Sequence, residues 1–399
     1  MLPLPRCGID LTEISRVRQM VDAATPETLR QLFSDAELSD AGRGPSQATR
    51  LAARVAAKEA CLKLFPRETA TGALDASDFS VRKNGYGAPE VCCSGRARAV
   101  LDRHGIEAIA ISLSHTEAHA TAMAVCQKKA PLPVPLAGKL LYHLLPIRRE
   151  LIVSNLQLVY GQTLSAEEIR HLAQAHYGHF FRMGRDFIAH QFLSKEQRAA
   201  RVRVENAELI IRPLSQGQGA IILTGHFGNF ATAISAGVAS FPEARGRFAF
   251  IRRPLNPPWF DALISKHFEK AGFSTVANRR SMEAVLDALE AGNALVFPFD
   301  QHTSGRKSVR VDFFGQPVGT FRSLALIALA SGAPVFPAAS WREANGQHVL
   351  RFEEPLTLLS HPSAKEEVRL NTRLFNSALE RLILRHPEQW WWVHRRFRP

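Results

Sequence analysis

The stretch Gln127-Lys128-Lys129-Ala130-Pro131-Leu132-Pro133-Val134-Pro135 constrains this chain more than any other. Proline fixes φ and carries no amide hydrogen, so prolines at 131, 133 and 135 disfavour both a helix and a central strand. The stretch reads as a semi-rigid, extended spacer. A chain of 399 residues also exceeds one typical core, so the spacer is taken as a boundary between two domains. The five cysteines, Cys7, Cys61, Cys92, Cys93 and Cys126, all precede it. A first domain is expected at residues 1–127, the spacer at 128–137 and a second domain at 138–399.

The 50 Lys+Arg against 37 Asp+Glu give a formal charge of +13. That balance favours acidic partners: an anionic membrane face, an acidic protein or phosphorylated ligands. No motif of clustered aromatic and basic residues accompanies it, so nucleic acid is not an expected partner. The odd number and irregular spacing of the cysteines fit neither a disulfide framework nor a zinc site, and imply a reducing cytosol. The opening Met1-Leu2-Pro3-Leu4-Pro5-Arg6 lacks the basic and apolar regions of a signal peptide. No apolar run approaches the ~20 residues that span a bilayer. The longest apolar-leaning stretch, 132–145, is broken by prolines, Gly138 and Lys139; it could lie on a membrane surface but not cross it.

Before the spacer, the order is a strand around Gly8, helices, then several strands. Residues 46–65 read as a helix with Ser46 at its cap and Leu51, Val55 and Leu62 on one side. Gly85-Tyr86-Gly87 marks a turn, and 108–113 and 120–125 read as strands joined across Ser114-His115-Thr116-Glu117. This irregular mixture predicts an α+β domain. After the spacer, short apolar strands at 220–223, 248–251, 295–299 and 334–338 alternate with helical stretches at 257–270, 281–291 and 321–331. That alternation predicts an α/β domain on a largely buried sheet.

Three fragments of the first domain carry chemistry: Gly8-Ile9-Asp10-Leu11-Thr12-Glu13-Ile14, Arg54-Val55-Ala56-Ala57-Lys58-Glu59-Ala60-Cys61-Leu62-Lys63 and Ser112-Leu113-Ser114-His115-Thr116. Taken singly, Asp10 is a turn residue or cap, and His115 a hydrogen-bonded strand end. Glu59 and Lys63 are then a surface i,i+4 pair worth ~0.2–0.5 kcal/mol. Glu59, however, shares the helix face of Val55 and Leu62, where a half-buried carboxylate wants a cation. With Asp10 it would form a hard oxygen site suited to Mg²⁺.

Together these fragments, with the turn Asn84-Gly85-Tyr86-Gly87-Ala88-Pro89, resemble the holo-acyl-carrier-protein synthase type of 4′-phosphopantetheinyl transferase over residues 1–127. The resemblance implies attack of a carrier-protein serine on the β-phosphate of coenzyme A, with 3′,5′-ADP leaving. By position, Asp10 and Glu59 would hold Mg²⁺ on the pyrophosphate. Lys63 and Lys58 would neutralise phosphate charge, and His115 would bind the nucleotide or handle a proton. Arg16 would dock the acidic carrier. Relatives of this short type form trimers with sites between protomers.

In the second domain, Thr224-Gly225-His226-Phe227-Gly228-Asn229-Phe230-Ala231 follows a strand directly, so that His226 can face a cleft beside glycines. Arg252-Arg253-Pro254-Leu255-Asn256-Pro257, Phe299-Asp300-Gln301 and Val311-Asp312-Phe313-Phe314-Gly315 come next, and the chain closes with His386-Pro387-Glu388-Gln389-Trp390-Trp391-Trp392-Val393-His394-Arg395-Arg396-Phe397. With Arg148-Arg149 and Asn155, these motifs resemble the secondary acyltransferases of lipid A biosynthesis, within the lysophospholipid acyltransferase group, from about residue 135 to 399. The resemblance implies a His-x4-Asp/Glu dyad in which His226 deprotonates an acceptor hydroxyl that attacks an acyl thioester. Arg253 and Asp300 would line the pocket, and Arg253 would bind an acceptor phosphate or carboxylate.

Ala231 stands where that family has its acid and cannot accept the second imidazole proton. Three accounts stay open: an introduced substitution, another carboxylate (Asp300 or Asp312) beside His226, or a domain turned into a carrier- or lipid-binding module. The expected protein is a bifunctional enzyme. It would make holo carrier from apo carrier and draw acyl groups from the acylated carrier for a lipid-type acceptor. Its expected place is cytoplasmic, peripheral on the inner face of the cytoplasmic membrane.

Overall fold

The computed structural model describes residues 6–398 apart from 71, 73, 130–131, 146, 191, 231–232, 234–240, 242–245, 253–256, 260–261, 263–264, 267–272 and 278–280. It divides into two compact units, Met1–Pro131 and Leu132–Pro399.

The first unit runs β1 (Cys7–Glu13), α1 (Ile14–Ala23), α2 (Pro26–Leu32), α3 (Asp35–Ala41), α4 (Gln47–Leu62), α5 (Arg67–Ala70), β2 (Phe79–Lys83), β3 (Pro89–Cys93), α6 (Gly95–Arg103), β4 (Ile106–His115) and β5 (His119–Lys128). Strands β1, β5 and β4 form an antiparallel sheet with β5 central, and β2 pairs with β3 as a separate hairpin. This is the expected α+β arrangement. Ser46 does precede the predicted helix, α4, but its side chain makes no capping bond. Small residues let α4 lie close to the sheet: Ala52, Ala56, Ala57 and Ala60 are all fully buried. Gly8 takes the closest approach, because a Cβ there would stand 2.1 Å from the carbonyl oxygen of Ala60. The alternation of β1 leaves its other face open, with Ile9 and Leu11 each 65% exposed beside the exposed Met123.

The second unit runs α7 (Leu136–Leu144), α8 (Arg149–Tyr160), α9 (Ala166–His190), α10 (Lys195–Ala200), β6 (Val202–Glu205), α11 (Glu208–Ser215), β7 (Ala220–Thr224), β8 (Phe248–Arg252), β9 (Phe273–Ala277), α12 (Ser281–Glu290), β10 (Ala294–Pro298), β11 (Ser308–Phe313), β12 (Gln316–Phe321), α13 (Ser323–Ser331), β13 (Val335–Arg342), β14 (His348–Phe352) and α14 (Ala364–Arg385). A 7-stranded sheet has the order β6-β14-β13-β7-β10-β8-β9. Strands β13, β7, β10, β8 and β9 run parallel, whereas β14 is antiparallel to β13. The four predicted apolar strands are β7, β8, β10 and β13, the interior of this α/β unit. Most of the helix expected at 257–270 falls outside the described residues. Among the described residues, no helix is long and apolar enough to cross a membrane.

Candidate active sites

In the second unit the sheet's register builds the site. Strands β7 and β10 are parallel neighbours with Thr224 beside Pro298, and the amide of Phe299 donates to the carbonyl of Thr224 at 2.8 Å. Both chains then continue past the carboxyl ends of their strands, where α/β sheets open their crevices. Two residues further on, His226 and Asp300 meet. The Asp300 Oδ1 lies 2.9 Å from Nδ1 of His226, and its Oδ2 accepts the His226 amide at 2.7 Å and the Trp390 indole at 2.9 Å. Gly225 makes the approach feasible, since a Cβ there would lie 2.9 Å from Oδ2 of Asp300.

Asp300 is fully buried. Burial pushes its carboxyl up, but the charge and hydrogen bonds of His226 outweigh this and hold it well below the usual carboxylate range. Burial likewise lowers His226, and the charge and hydrogen bond of Asp300 more than compensate, raising it above the ordinary imidazole value. An ionised carboxylate only accepts hydrogen bonds, so Nδ1 of His226 carries the proton and Nε2 is left as a base. Around the ring, Phe230 packs edge-on at 5.4 Å, with Trp391 at 5.1 Å and His394 at 5.0 Å between centroids.

The chain's last segment clamps this loop. The Trp391 amide donates to the carbonyl of His226 at 3.1 Å and the Gly228 amide to that of Gln389 at 2.9 Å. Gly228 has φ +52, and a Cβ there would press on the Ser340 carbonyl oxygen at 2.6 Å. Asn155 donates to the carbonyls of Trp392 and His394. The buried Arg396 donates to the Gln301 and Gly319 carbonyls, and to Thr320 and Asn376, fixing the chain just past Asp300. The sequence motifs contain Trp390, His394 and Arg396, but nothing in their spacing says that they converge on Asp300 and His226. Of the two carboxylates left open, Asp312 instead binds Arg373 at 3.1 Å. Ala231 and Arg253 lie outside the described residues.

In the first unit, Gly8, Asp10 and Thr12 share the face of β1 that meets α4. Lys63 Nζ lies 2.7 Å from Oδ1 of Asp10 and 3.0 Å from the carbonyl of Ile9, and Thr12 donates to Oδ2 of Asp10 at 3.1 Å. Glu59 sits one turn before Lys63, half-buried. His115 ends β4 on the same sheet face, in the row Thr12–Ala120–His115; it is exposed and two strand spacings from β1. The structure therefore joins Asp10 to Lys63, with Glu59 on the adjoining helix turn, and holds His115 apart. Asp10 and Glu59 are oxygen donors of the kind a hard cation takes, and the cation now on Asp10 is the ammonium of Lys63, whose side chain is 52% exposed.

Lys58 is corrected from its expected phosphate-facing role. It is fully buried, with Nζ 3.0 Å from Oε2 of Glu37 and 2.8 Å from the carbonyl of Phe79. Glu37 is equally buried and accepts the Val81 amide at 2.9 Å. One residue from Glu59 means about 100° around the helix, which turns Lys58 into the core.

Comparison with known proteins covers both units. Residues 134–399 match the family model of bacterial lipid A biosynthesis acyltransferases. Residues 6–124 match that of the 4′-phosphopantetheinyl transferase superfamily. A holo-[acyl-carrier-protein] synthase of Syntrophus aciditrophicus is 32% identical over 120 residues, 30% of this chain and 93% of that protein. Another, of Myxococcus xanthus, is 36% identical over 123 residues, 31% of this chain and 94% of that one. The crystal structure of holo-[acyl-carrier-protein] synthase from Neisseria meningitidis is 23% identical and covers 31% of this chain and 97% of its own, with a TM-score of 0.28.

Proposed function

Because the chain belongs to the bacterial lipid A biosynthesis acyltransferase family and, through its first unit, to the holo-acyl-carrier-protein synthases, we propose that this fused transferase performs both reactions around one carrier protein. The observation that carries the second activity is the hydrogen-bonded His226–Asp300 pair. In this reading Nε2 of His226 takes the proton of an acceptor hydroxyl as its oxygen attacks the thioester carbonyl of acyl carrier protein. The tetrahedral intermediate collapses, the carrier's thiolate leaves, and it recovers the proton from His226. Asp300 holds the tautomer and stabilises the transient imidazolium, the work assigned to the family acid that Ala231 lacks. Arg253 is proposed at the acceptor's anionic group.

In the first unit, Asp10 and Glu59 would hold Mg²⁺, which neutralises pyrophosphate charge when bound. Lys63, released from Asp10, would neutralise phosphate oxygens of coenzyme A as the carrier serine attacks, and His115 would contact the nucleotide. Arg16, exposed on α1, would dock the acidic carrier. A trimer is proposed through the open face of the β1-β5-β4 sheet, whose exposed Ile9, Leu11 and Met123 make an apolar patch. The charge of +13 supports a peripheral position on the anionic inner face of the cytoplasmic membrane. Ala231 alone favours a second reading, a non-catalytic carrier- and membrane-binding second unit.

Acyl transfer from acyl carrier protein to a membrane lipid extract separates these readings. With Asp300 as the partner, wild type transfers, Ala231→Glu changes the rate little, and His226→Ala abolishes it. No transfer by wild type or Ala231→Glu to any acceptor supports the binding module. For the first unit, apo carrier incubated with coenzyme A and Mg²⁺ gains the mass of phosphopantetheine. Asp10→Ala or Glu59→Ala lowers that rate by about 10²–10³; an undiminished shift would falsify the metal assignment.

A further inference from the structure

Helix α7 buries one side and leaves a continuous apolar ridge on the other. Its inner side is set by glycines: a Cβ on Gly138 would stand 2.5 Å from the Gln174 carbonyl oxygen and 2.9 Å from Cα of Gly178 on α9. That contact leaves Leu136, Leu140 and Leu144, spaced four apart on one helix face, at 71%, 49% and 72% exposure. Leu145 and Ile147, beyond the helix, extend the ridge at 50% and 67%. Large side chains this exposed are ordinary singly, but a contiguous row is not.

The charge around the ridge selects what covers it. Residues 132–149 of the second unit hold three Lys/Arg, namely Lys139, Arg148 and Arg149, and no Asp or Glu. An apolar row with cations and no acid along its own stretch of chain is the pattern of an interfacial helix whose side chains enter the acyl boundary while its cations meet headgroup phosphates. At nine residues, α7 is too short to cross a bilayer.

The ridge is also mechanically tied to the His226 site. The Tyr177 hydroxyl donates to the carbonyl of Ile147 at 2.7 Å, and Arg148 donates to the carbonyl of Val393 at 2.8 Å. Val393 adjoins His394, whose ring lies 5.0 Å from that of His226. We infer that α7, with Leu145 and Ile147, seats the second unit on an anionic lipid surface, bringing the His226 site to the interface where a lipid-type acceptor resides. This deepens the acyl-transfer reading, and that reading supplies the role of the acceptor.

The test is flotation of the full-length protein with vesicles of phosphatidylethanolamine and phosphatidylglycerol, set against vesicles of phosphatidylcholine alone. Wild type is expected to float with the anionic vesicles and to be released by salt. L136Q/L144Q/I147Q should lower that binding at least ten-fold, and Lys139→Gln about five-fold. The triple variant should keep its transfer rate on a detergent-dispersed acceptor and lose it on the same acceptor embedded in vesicles. Equal flotation of wild type and triple variant overturns the inference. So does a wild type that binds no vesicles while the triple variant changes only its oligomeric state in sedimentation, which would make the ridge a contact between copies. If wild type floats but transfers to neither acceptor, the acyl-transfer reading fails while the lipid surface stands.

Discussion

The two sites hold their carboxylates in opposite surroundings. Asp300 is sealed, bonded to His226 and Trp390, and has nowhere to move. Asp10 and Glu59 are half-buried, and the cation now on Asp10 belongs to a long, mobile-jointed lysine side chain that is itself half exposed. Removing the proton of a neutral acceptor hydroxyl, as proposed for His226, needs a base whose partner is fixed in advance, because reorganising a buried charge during the reaction is costly. In the proposed phosphopantetheinyl transfer the substrate would bring its own charge, and metal and pyrophosphate would complete the site.

The largest effect expected from breaking this contrast is that of Asp300→Asn. It should lower kcat for acyl transfer by about 10³–10⁴, as loss of the acid does in a catalytic triad. The sign of the accompanying pH shift is fixed. Asp300 is what raises His226, and burial alone lowers it, so the acid limb of kcat/KM should move to lower pH in the variant. An unmoved limb would detach Asp300 from the titrating base.

Lys58→Met comes next. Glu37 would be left buried without its cation, at a cost of about 3–5 kcal/mol in denaturant unfolding of the first unit. The folded fraction should still load carrier protein at the wild-type rate. A specific loss of that rate with unchanged stability would return Lys58 to the phosphates.

The smallest effect is a difference in acid sensitivity. In the second unit, burial pushes His176 down to about 4, His179 to about 3 and His348 to about 4. A histidine depressed on folding binds its proton more readily when unfolded. The stability it leaves intact above about 6.5 is therefore lost progressively as pH falls toward 4. His226 is shifted the other way and offsets only part of this. The first unit has His104, pushed down to about 4 by burial and by Arg6 and Arg103. Calorimetry at pH 7 and pH 5 should show the second unit's transition falling by more than the first's; equal shifts would refute the difference.

The sequence shows the chemistry of both sites more clearly than their wiring. The helical period places Glu59 on a half-buried face, and the end of an apolar strand presents His226. It cannot choose between Asp300 and Asp312, because that choice is made by the register of β7 on β10, a non-local pairing. Lys58 reads as one more cation in a basic helix until α3 brings Glu37 into the same core. Strands β6, β9 and β14 and the long helices α8, α9 and α14 are also missing from the sequence reading. In α9 and α14 many polar groups are buried and paired internally, as with Asn371, Thr372 and Asn376, which blurs the apolar period.

The β7–β10 register has a further consequence for how such a site can diverge. The base and its carboxylate each stand two steps past a paired strand end, so their spacing is inherited from two adjacent strands. The 66 residues between His226 and Asn293, exclusive, lie between the base and the strand that carries its carboxylate. Changes in that stretch beyond the Gly228 clamp would therefore reshape what the site admits while the strand register still sets the spacing of His226 and Asp300.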